Sequence, residues 1–442
     1  MVDMTAALWE RAGIPQVARQ TAWLLSQDPK ILTCALYLSM HESSEADRYS
    51  VKRKSPLSAK DDAEYLADVL GNTKKPGVEL ANIVRRLART FQLSANPLIP
   101  IEPKLFTEVI WENFFAPTLS PRCRDFLSRV EHYRSPLTRT ELLFRLRWPI
   151  PSAKLNTTGI DFIIFQNPTA VRVSSNTIKI IRLHDLVPLL RFDTQPQARY
   201  IMQDFYQALA HCVKDSYFAC VSESTRNDLI AFFPKAKSKA FVIPNSVTFP
   251  ALEEPAPSQP LKPYFLAVGT IEPRKNYRRL IEAFRTYRKV YNSTHRLIIV
   301  GHSGWHNDEI INDLKDAQKK GWLTWHRQAS PDELGTLYQN AHAVVAASVH
   351  EGFGIPPIEA AAYGTPLVLS SLPVFRSHFG DSAEYFDPYD PIDMSQALAR
   401  MTPLRRARLS LEVQEKARQF ETHQELLRWQ QLFSDLSISR KV

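Results

Sequence analysis

The chain has 442 residues, 44% hydrophobic and 23% charged, with 55 Lys and Arg against 46 Asp and Glu; this length asks for two cores, and the composition argues against wholesale disorder. No run reaches about 18 uninterrupted apolar residues, which excludes a transmembrane helix. Cys34, Cys123, Cys212 and Cys220 show neither CxxC spacing nor a histidine cluster, which disfavours a zinc site or disulfide framework and fits a reducing, cytoplasmic setting.

The first ten residues carry Asp3 and Glu10 and no basic segment, so a secretory signal is not expected. VDMTAAL, ILTCALYLSM, DFIIFQN, IKIIRLHD, YFACVSE and FVIPNS are predicted strands, and IPQVARQTAWLL is a predicted helix after the first. Between about residues 45 and 150 the pattern breaks into basic, proline-interrupted segments, read as an elaboration on an α/β domain. Residues 51–150 hold 17 Lys and Arg against 11 Asp and Glu, interleaved with Trp111, Phe114, Phe115, Phe144 and Trp148. Aromatics beside basic residues suit a headgroup region, so this stretch is expected to meet an anionic acceptor or an anionic membrane surface. The segment FPALEEPAPSQPLKP, Phe249–Pro263, has five prolines and reads as an inter-domain linker.

After the linker, strands and helices alternate. YFLAVGT, HRLIIVG, WLTWHRQ, AHAVVAASV, TPLVLSS and AEYFDP are predicted strands. YRRLIEAFRTYRKVY, DEIINDLKDAQKKG, the segment opening with Ser330, Pro331 and Glu333, PPIEAAAYG and PIDMSQALARM are predicted helices. Ser330 with Glu333 spells a capping box, and Gly364 suits a helix C-terminus. A run of βα units implies a parallel, doubly wound sheet, so the fold class is α/β with two such domains.

In a doubly wound sheet the first and fourth strands are neighbours, and ligands sit at the loops leaving their carboxyl ends. Counted from the linker, those loops are Gly269–Lys275 (GTIEPRK) and Glu351–Pro357 (EGFGIPP). Arg274 and Lys275 stand at a helix mouth, Gly352 and Gly354 permit close backbone approach, and a second helix starts near Pro356. Cations beside a helix N-terminus make a diphosphate site. Glu351 and Glu359 are acceptor-only groups placed to bind hydroxyls, so the inferred ligand is a nucleoside diphosphate carrying a sugar. No metal or resident cofactor is called for.

HEGFGIPPIEAAAYGTPLVLS resembles the E-x7-E segment of family 4 of the retaining glycosyltransferases, which have the GT-B fold of two facing Rossmann-like domains. VGTIEPRKNYRRLIEAF is similar to that family's phosphate-binding segment, and RLHDLVPL and VSESTRNDL match its N-terminal-domain motifs. The resemblance covers about residues 159–400. It implies an acceptor-side domain over 1–250, with a basic insertion near 45–150, and a donor-binding domain over 262–417. The helix near 421–442 would cross back onto the first domain. It further implies that Glu351 contacts the transferred sugar and Glu359 the ribose. Gly352, Phe353, Gly354 and Ile355 would face diphosphate and sugar together with Gly269 and Thr270, Arg274 and Lys275 would neutralise the phosphates, and His184 would reach the donor from the first domain. Two departures stand out: Thr270 replaces an arginine some members carry, and Ser246 replaces a glycine. The implied activity is metal-independent transfer of a hexose, with mannose from GDP-mannose first and a UDP-hexose second, to a glycan or lipid-linked acceptor in polysaccharide or glycolipid synthesis. The implied setting is the cytoplasm or the cytoplasmic face of a membrane. A sugar-nucleotide epimerase and a non-catalytic binder of anionic polymers are the rival readings; nucleic acid is not an expected partner.

Overall fold

The computed structural model describes residues 1–8, 13–38, 95–101, 107–116, 118–119, 121–135, 137, 152–194, 198–249, 263–304 and 307–439. Residues 250–262 of the expected linker, and Phe144 and Trp148 within the basic stretch, lie outside the described residues.

The first half contributes strands β1 (Val2–Asp3), β2 (Cys34–Leu38), β3 (Ile99–Ile101), β4 (Glu131–Ser135), β5 (Ala153–Lys154), β6 (Phe162–Phe165), β7 (Val171–Arg172), β8 (Ile178–Leu183), β9 (Tyr217–Cys220) and β10 (Ala240–Val242). Eight of them form one sheet in the order β10-β9-β8-β6-β1-β2-β4-β3, parallel except where β3 runs against β4, while β5 and β7 pair separately. The second half contributes β11 (Tyr264–Val268), β12 (Arg296–Val300), β13 (Leu323–His326), β14 (Ala343–Ala346), β15 (Leu367–Ser370) and β16 (Glu384–Phe386), all parallel in the order β13-β12-β11-β14-β15-β16. In each sheet the order reverses beside the first strand, at β1 and at β11, which opens a crevice at the carboxyl ends. The two α/β lobes face one another around a cleft in a GT-B arrangement.

The strands read as continuous apolar runs because helices cover both faces of each sheet: β2 and β15 are buried along their whole length. The helix Pro331–Asn340 opens with the full capping box, Ser330 Oγ accepting from Glu333 N and the Glu333 carboxylate accepting from Ser330 N. The helix Thr422–Ser439 lies on the first sheet, where Trp429, Leu432 and Leu436 share a core with Val2, Ala18 and Ile164.

Two expectations need correction. VDMTAAL is extended only over Val2–Asp3; Asp3 Oδ1 accepts from Thr5 N at 3.0 Å and Thr5 Oγ1 at 2.5 Å, and this side-chain turn bends the chain into a 3₁₀ segment, Thr5–Leu8. Of the aromatics assigned to a membrane or anionic surface, the three that lie among the described residues point inward: Trp111, Phe114 and Phe115 are buried in the core under β1 and β2. They sit on a helical turn that widens into a π-helix over Trp111–Phe115, which destroys the period by which a sequence shows an inward face. Among the described residues no helix is long and apolar enough to cross a membrane.

Candidate functional site

Strands β11 and β14 are hydrogen-bonded neighbours, so the loops that follow them meet. The first leaves β11 at Gly269, whose φ of 148° suits glycine, and makes a single 3₁₀ turn over Pro273–Lys275. Asn276 then takes a left-handed conformation, φ 60°, before the helix Tyr277–Val290. Its side chain explains why it tolerates this: Nδ2 donates to Ala347 O at 3.0 Å and Pro388 O at 2.7 Å, tying the turn to the neighbouring loop. The Lys275 stem runs past Gly269, where a Cβ would stand 3.2 Å from Lys275 Cε. Thr270 turns its methyl toward Gly304.

The second loop ends at Gly354, φ 85°, which caps the helix Ile355–Ala362. A Cβ on Gly354 would overlap the Phe375 ring, so both its conformation and its surroundings demand glycine. The helix begins one residue before Pro356, and Pro356 and Pro357 remove two of the four N–H groups that a helix start otherwise leaves free. This helix start therefore offers fewer free backbone N–H groups to an anion than its sequence implies, and the neighbouring side-chain cations count for more. Phe353 is buried, its ring centroid 5.0 Å from His378 and 5.5 Å from Phe420, so only its backbone can face a ligand. Ile355 is partly buried against the same core.

The charged residues converge. Glu351 accepts from Arg274 Nη1 at 2.7 Å and from Lys275 Nζ and Ser348 Oγ at 2.6 Å each, and Arg274 Nη2 reaches Glu272 at 2.6 Å. Glu351 and Glu272 side chains are 9% and 3% exposed, so these contacts are shielded from water. Burial alone would raise the Glu351 pKa, but the adjoining Lys275 and Arg274 charges and the hydrogen bonds from Lys275 and Ser348 outweigh it and hold the carboxyl well below its usual range. Two cations meet two carboxylates, so the cluster is formally neutral before any ligand arrives. An anion entering here would meet cations that already have carboxylate partners.

Glu359, one turn into the helix, stands apart from that cluster. Its carboxylate accepts from Tyr338 OH at 2.9 Å and from Gln16 Nε2 of the first lobe at 3.4 Å. Burial raises its pKa, against which the two hydrogen bonds work.

The first lobe meets the second loop at Gly352. A Cβ there would overlap the His184 carbonyl oxygen, and the Gly352 carbonyl accepts from Ser222 Oγ at 2.6 Å and Thr225 Oγ1 at 3.2 Å. Ser222 also caps the helix Glu223–Phe232, so one hydroxyl serves a helix start and the lobe contact. His184 follows β8, its ring bonded to the Gln166 backbone carbonyl and its Nε2 enclosed without a partner. Burial, aided by the Arg182 charge, pushes its pKa down to about 3, so the ring is neutral at physiological pH. The second lobe thus brings Glu351, Arg274, Lys275 and Gly352 to one place, the His184 backbone of the first lobe abuts it at Gly352, and Glu359 stands at a second, adjoining one. Glu272, Ser222 and Thr225, which lie inside quoted motifs, and Ser348, Tyr338 and Gln16, which do not, complete the site without having been assigned roles; their parts are recognisable only once the chain is folded. Among the described residues no group of three or more His, Cys, Asp and Glu is placed to hold a metal ion.

Residues 249–420 match the family described as glycosyl transferases group 1. Over 247 residues the chain is 30% identical to the O-antigen chain mannosyltransferase RfbU of Salmonella typhimurium, covering 55% of this chain and 67% of that protein. It is also 30% identical over 239 residues to the serotype-specific mannosyltransferase WbdA of Escherichia coli, covering 49% of this chain but only 29% of WbdA. In fold it is similar to an α,α-trehalose-phosphate synthase (UDP-forming) from Burkholderia vietnamiensis, with a TM-score of 0.54 at 12% identity over 71% of this chain and 88% of the other. A buried cation–carboxylate cluster at adjoining strand ends, a second lobe closing on it, and these likenesses agree: the chain belongs to the glycosyl transferases group 1 and is a GT-B glycosyltransferase.

Proposed function

We propose that the protein is a retaining, metal-independent glycosyltransferase of family 4 that moves a hexose from a nucleoside-diphosphate donor to an acceptor hydroxyl. The observation that carries the reading is the Arg274–Lys275–Glu351 cluster, with contacts of 2.6–2.7 Å, set against His184 across Gly352. In this reading the diphosphate takes Lys275 and Arg274, and the released Glu351 turns to the sugar. Glu359 accepts from the ribose hydroxyls, and Gly269, Thr270, Gly352, Gly354 and Ile355 line the donor with their backbone. The bond from the anomeric carbon to the diphosphate oxygen breaks while the acceptor oxygen bonds on the same face. The acceptor proton passes to a donor phosphate oxygen. Arg274 and Lys275 stabilise the leaving anion, the part a metal ion plays elsewhere. Glu351 acts on the sugar as an electrostatic partner, and Ser348 Oγ, at 2.6 Å, stays as its remaining donor. The acceptor-side domain is taken as 1–250 with the helix near 421–442, and the donor-side domain as 262–417.

For the donor, a UDP-hexose has more behind it than GDP-mannose. The solved fold neighbour is named for UDP, whereas the mannosyltransferase names of the curated relatives specify the sugar and leave the nucleotide open. Those same names favour a glycan or lipid-linked acceptor in surface-polysaccharide synthesis; a cytoplasmic site of action is part of the proposal. A thermal-shift panel of UDP-glucose, UDP-galactose, UDP-N-acetylglucosamine and GDP-mannose tests the reading, because a ligand of the native state raises its melting temperature. At least one should do so, and the product anomer, read by NMR, should match the donor. Absence of any shift overturns the donor site, and an epimer formed from donor alone overturns the transferase.

A further inference from the structure

A buried carboxylate outside the site just described, with four hydrogen bonds, belongs to Glu425 on the helix Thr422–Ser439. It is 3% exposed and accepts from Arg182 Nη2 at 3.1 Å, Ser246 N at 2.8 Å, Ser246 Oγ at 2.7 Å and Trp429 Nε1 at 3.2 Å. Arg182, fully buried, also donates to Asn245 Oδ1 at 2.8 Å and lies 5.3 Å over the Trp429 ring. Three segments far apart in sequence are joined by this one carboxylate: strand β8, the Asn245–Ser246 turn and the last helix.

The placement on β8 gives the cluster its meaning. Side chains alternate along a strand, so Ile180, Arg182 and His184 belong to one face. Ile180 lies in the core with Trp429. The register that sets Ile164 opposite Ile180 puts Gln166 beside Arg182 as the strands continue. On that face the carboxylate is saturated while other groups are not: Arg182 Nε and Nη1, both amide atoms of Gln166, and His184 Nε2 have no partner among the described residues. A network optimised for stability would not leave so many buried polar atoms open. Buried ion pairs are in any case poor stabilisers, and apolar replacements of similar volume are often as stable or more so.

We propose that Glu425 and Arg182 are positioning residues for the transfer step. The carboxylate delivered by the last helix holds the end of β8 and the Ser246 turn in register, and with them the ring of His184. The inference rests on the reading of His184 as a wall of the donor site. The neutral state of that ring, held by burial and by the Arg182 charge, fits a hydrogen-bonding role.

The test is a kinetic cycle over wild type, Glu425→Gln, His184→Ala and the double variant, following nucleoside diphosphate release from UDP-glucose or GDP-mannose, whichever the panel selects. Glu425→Gln should lower kcat about tenfold, in the range expected of a displaced catalytic contact, with donor KM changed less than about threefold. In the His184→Ala background it should have no further effect, since residues that act as a unit are not additive. Fully additive losses, or an unchanged kcat in Glu425→Gln, overturn the proposal. Should Glu425→Gln not fold, Arg182→Met with Glu425→Leu replaces it. That variant leaves the Ser246 and Trp429 donors unpaired and should melt below the wild type; the folded protein should still lose kcat with donor KM nearly kept, and full activity in it shows a structural role only. Wild-type kcat in His184→Ala alone would instead overturn the reading of His184, which separates the two failures.

Discussion

The two lobes repeat the same βα plan but use buried charge differently. In the second lobe Arg274, Lys275, Glu272 and Glu351 face the cleft and satisfy one another. In the first lobe Arg182 and Glu425 lie behind the strand end, enclosed by Trp429, Asn245 and Ser246. A charge pair at a ligand face can exchange partners when an anion arrives, whereas one behind the sheet can only hold shape. One fold thus provides an exchangeable cluster on one wall and a fixed one behind the other.

The largest effect should come from breaking the exchangeable cluster. Glu351→Gln should lower kcat by about 10²-fold or more if the carboxylate supports charge developing on the sugar. The same variant should bind UDP or GDP more tightly than wild type, since Lys275 and Arg274 no longer have a carboxylate to leave. Calorimetry of the free nucleotides checks this; weaker binding would show that the cations do not serve the diphosphate. Next is the contact between the walls. Gly352→Ala places a methyl on the His184 carbonyl oxygen, and should cost about tenfold or more in kcat/KM by holding the lobes apart. Small-angle scattering should show an expanded particle, and an unchanged particle with full activity would remove lobe contact from the account.

A smaller change is expected at Glu359, whose proposed ribose contact would be the same before and during reaction. Glu359→Gln should raise donor KM about tenfold with kcat nearly kept; loss of kcat alone would exchange the roles of the two glutamates. The smallest effect is on stability against pH, where the two carboxylates have opposite signs. Glu351, held below its ordinary 4.5, contributes stability above that value and loses it as pH falls. Glu359, raised above 4.5 by burial, contributes below that value and loses it as pH rises through its folded pKa. Melting curves across pH 3–7 should therefore flatten on the acid side in Glu351→Gln. Glu359→Gln should gain about 2 °C near neutrality. Parallel curves for both variants and wild type would contradict the assigned electrostatics.

The second sheet was legible because its strands are short, apolar and bounded by glycine or a cap: Tyr264–Val268, Ala343–Ala346 and Leu367–Ser370 fall inside the expected runs. The two loops were legible as neighbours for the same reason, since strand order follows from a run of βα units. Their chemistry was only half visible. Arg274 and Lys275 read as free cations, because a sequence does not show that Glu351 and Glu272 close on them across 77 and 2 positions. The core under the first sheet was misread where the period fails, at Trp111–Phe115. Glu425 gave little local signal: apart from Trp429 one turn on, its partners lie 179 and 243 residues away.

The chain passes between the lobes near Val247 and again near Phe420, and there the two passages are bonded to each other, Val247 N donating to Phe420 O at 2.9 Å with Val247 bridged to Glu421. The consequence is mechanical. Two bodies joined at two adjacent points keep rotation about the line through them and lose most sliding and shear. Gly352 can then meet His184 only along one arc, so the alignment of the facing walls is built into the covalent chain and does not have to be found anew by each incoming substrate.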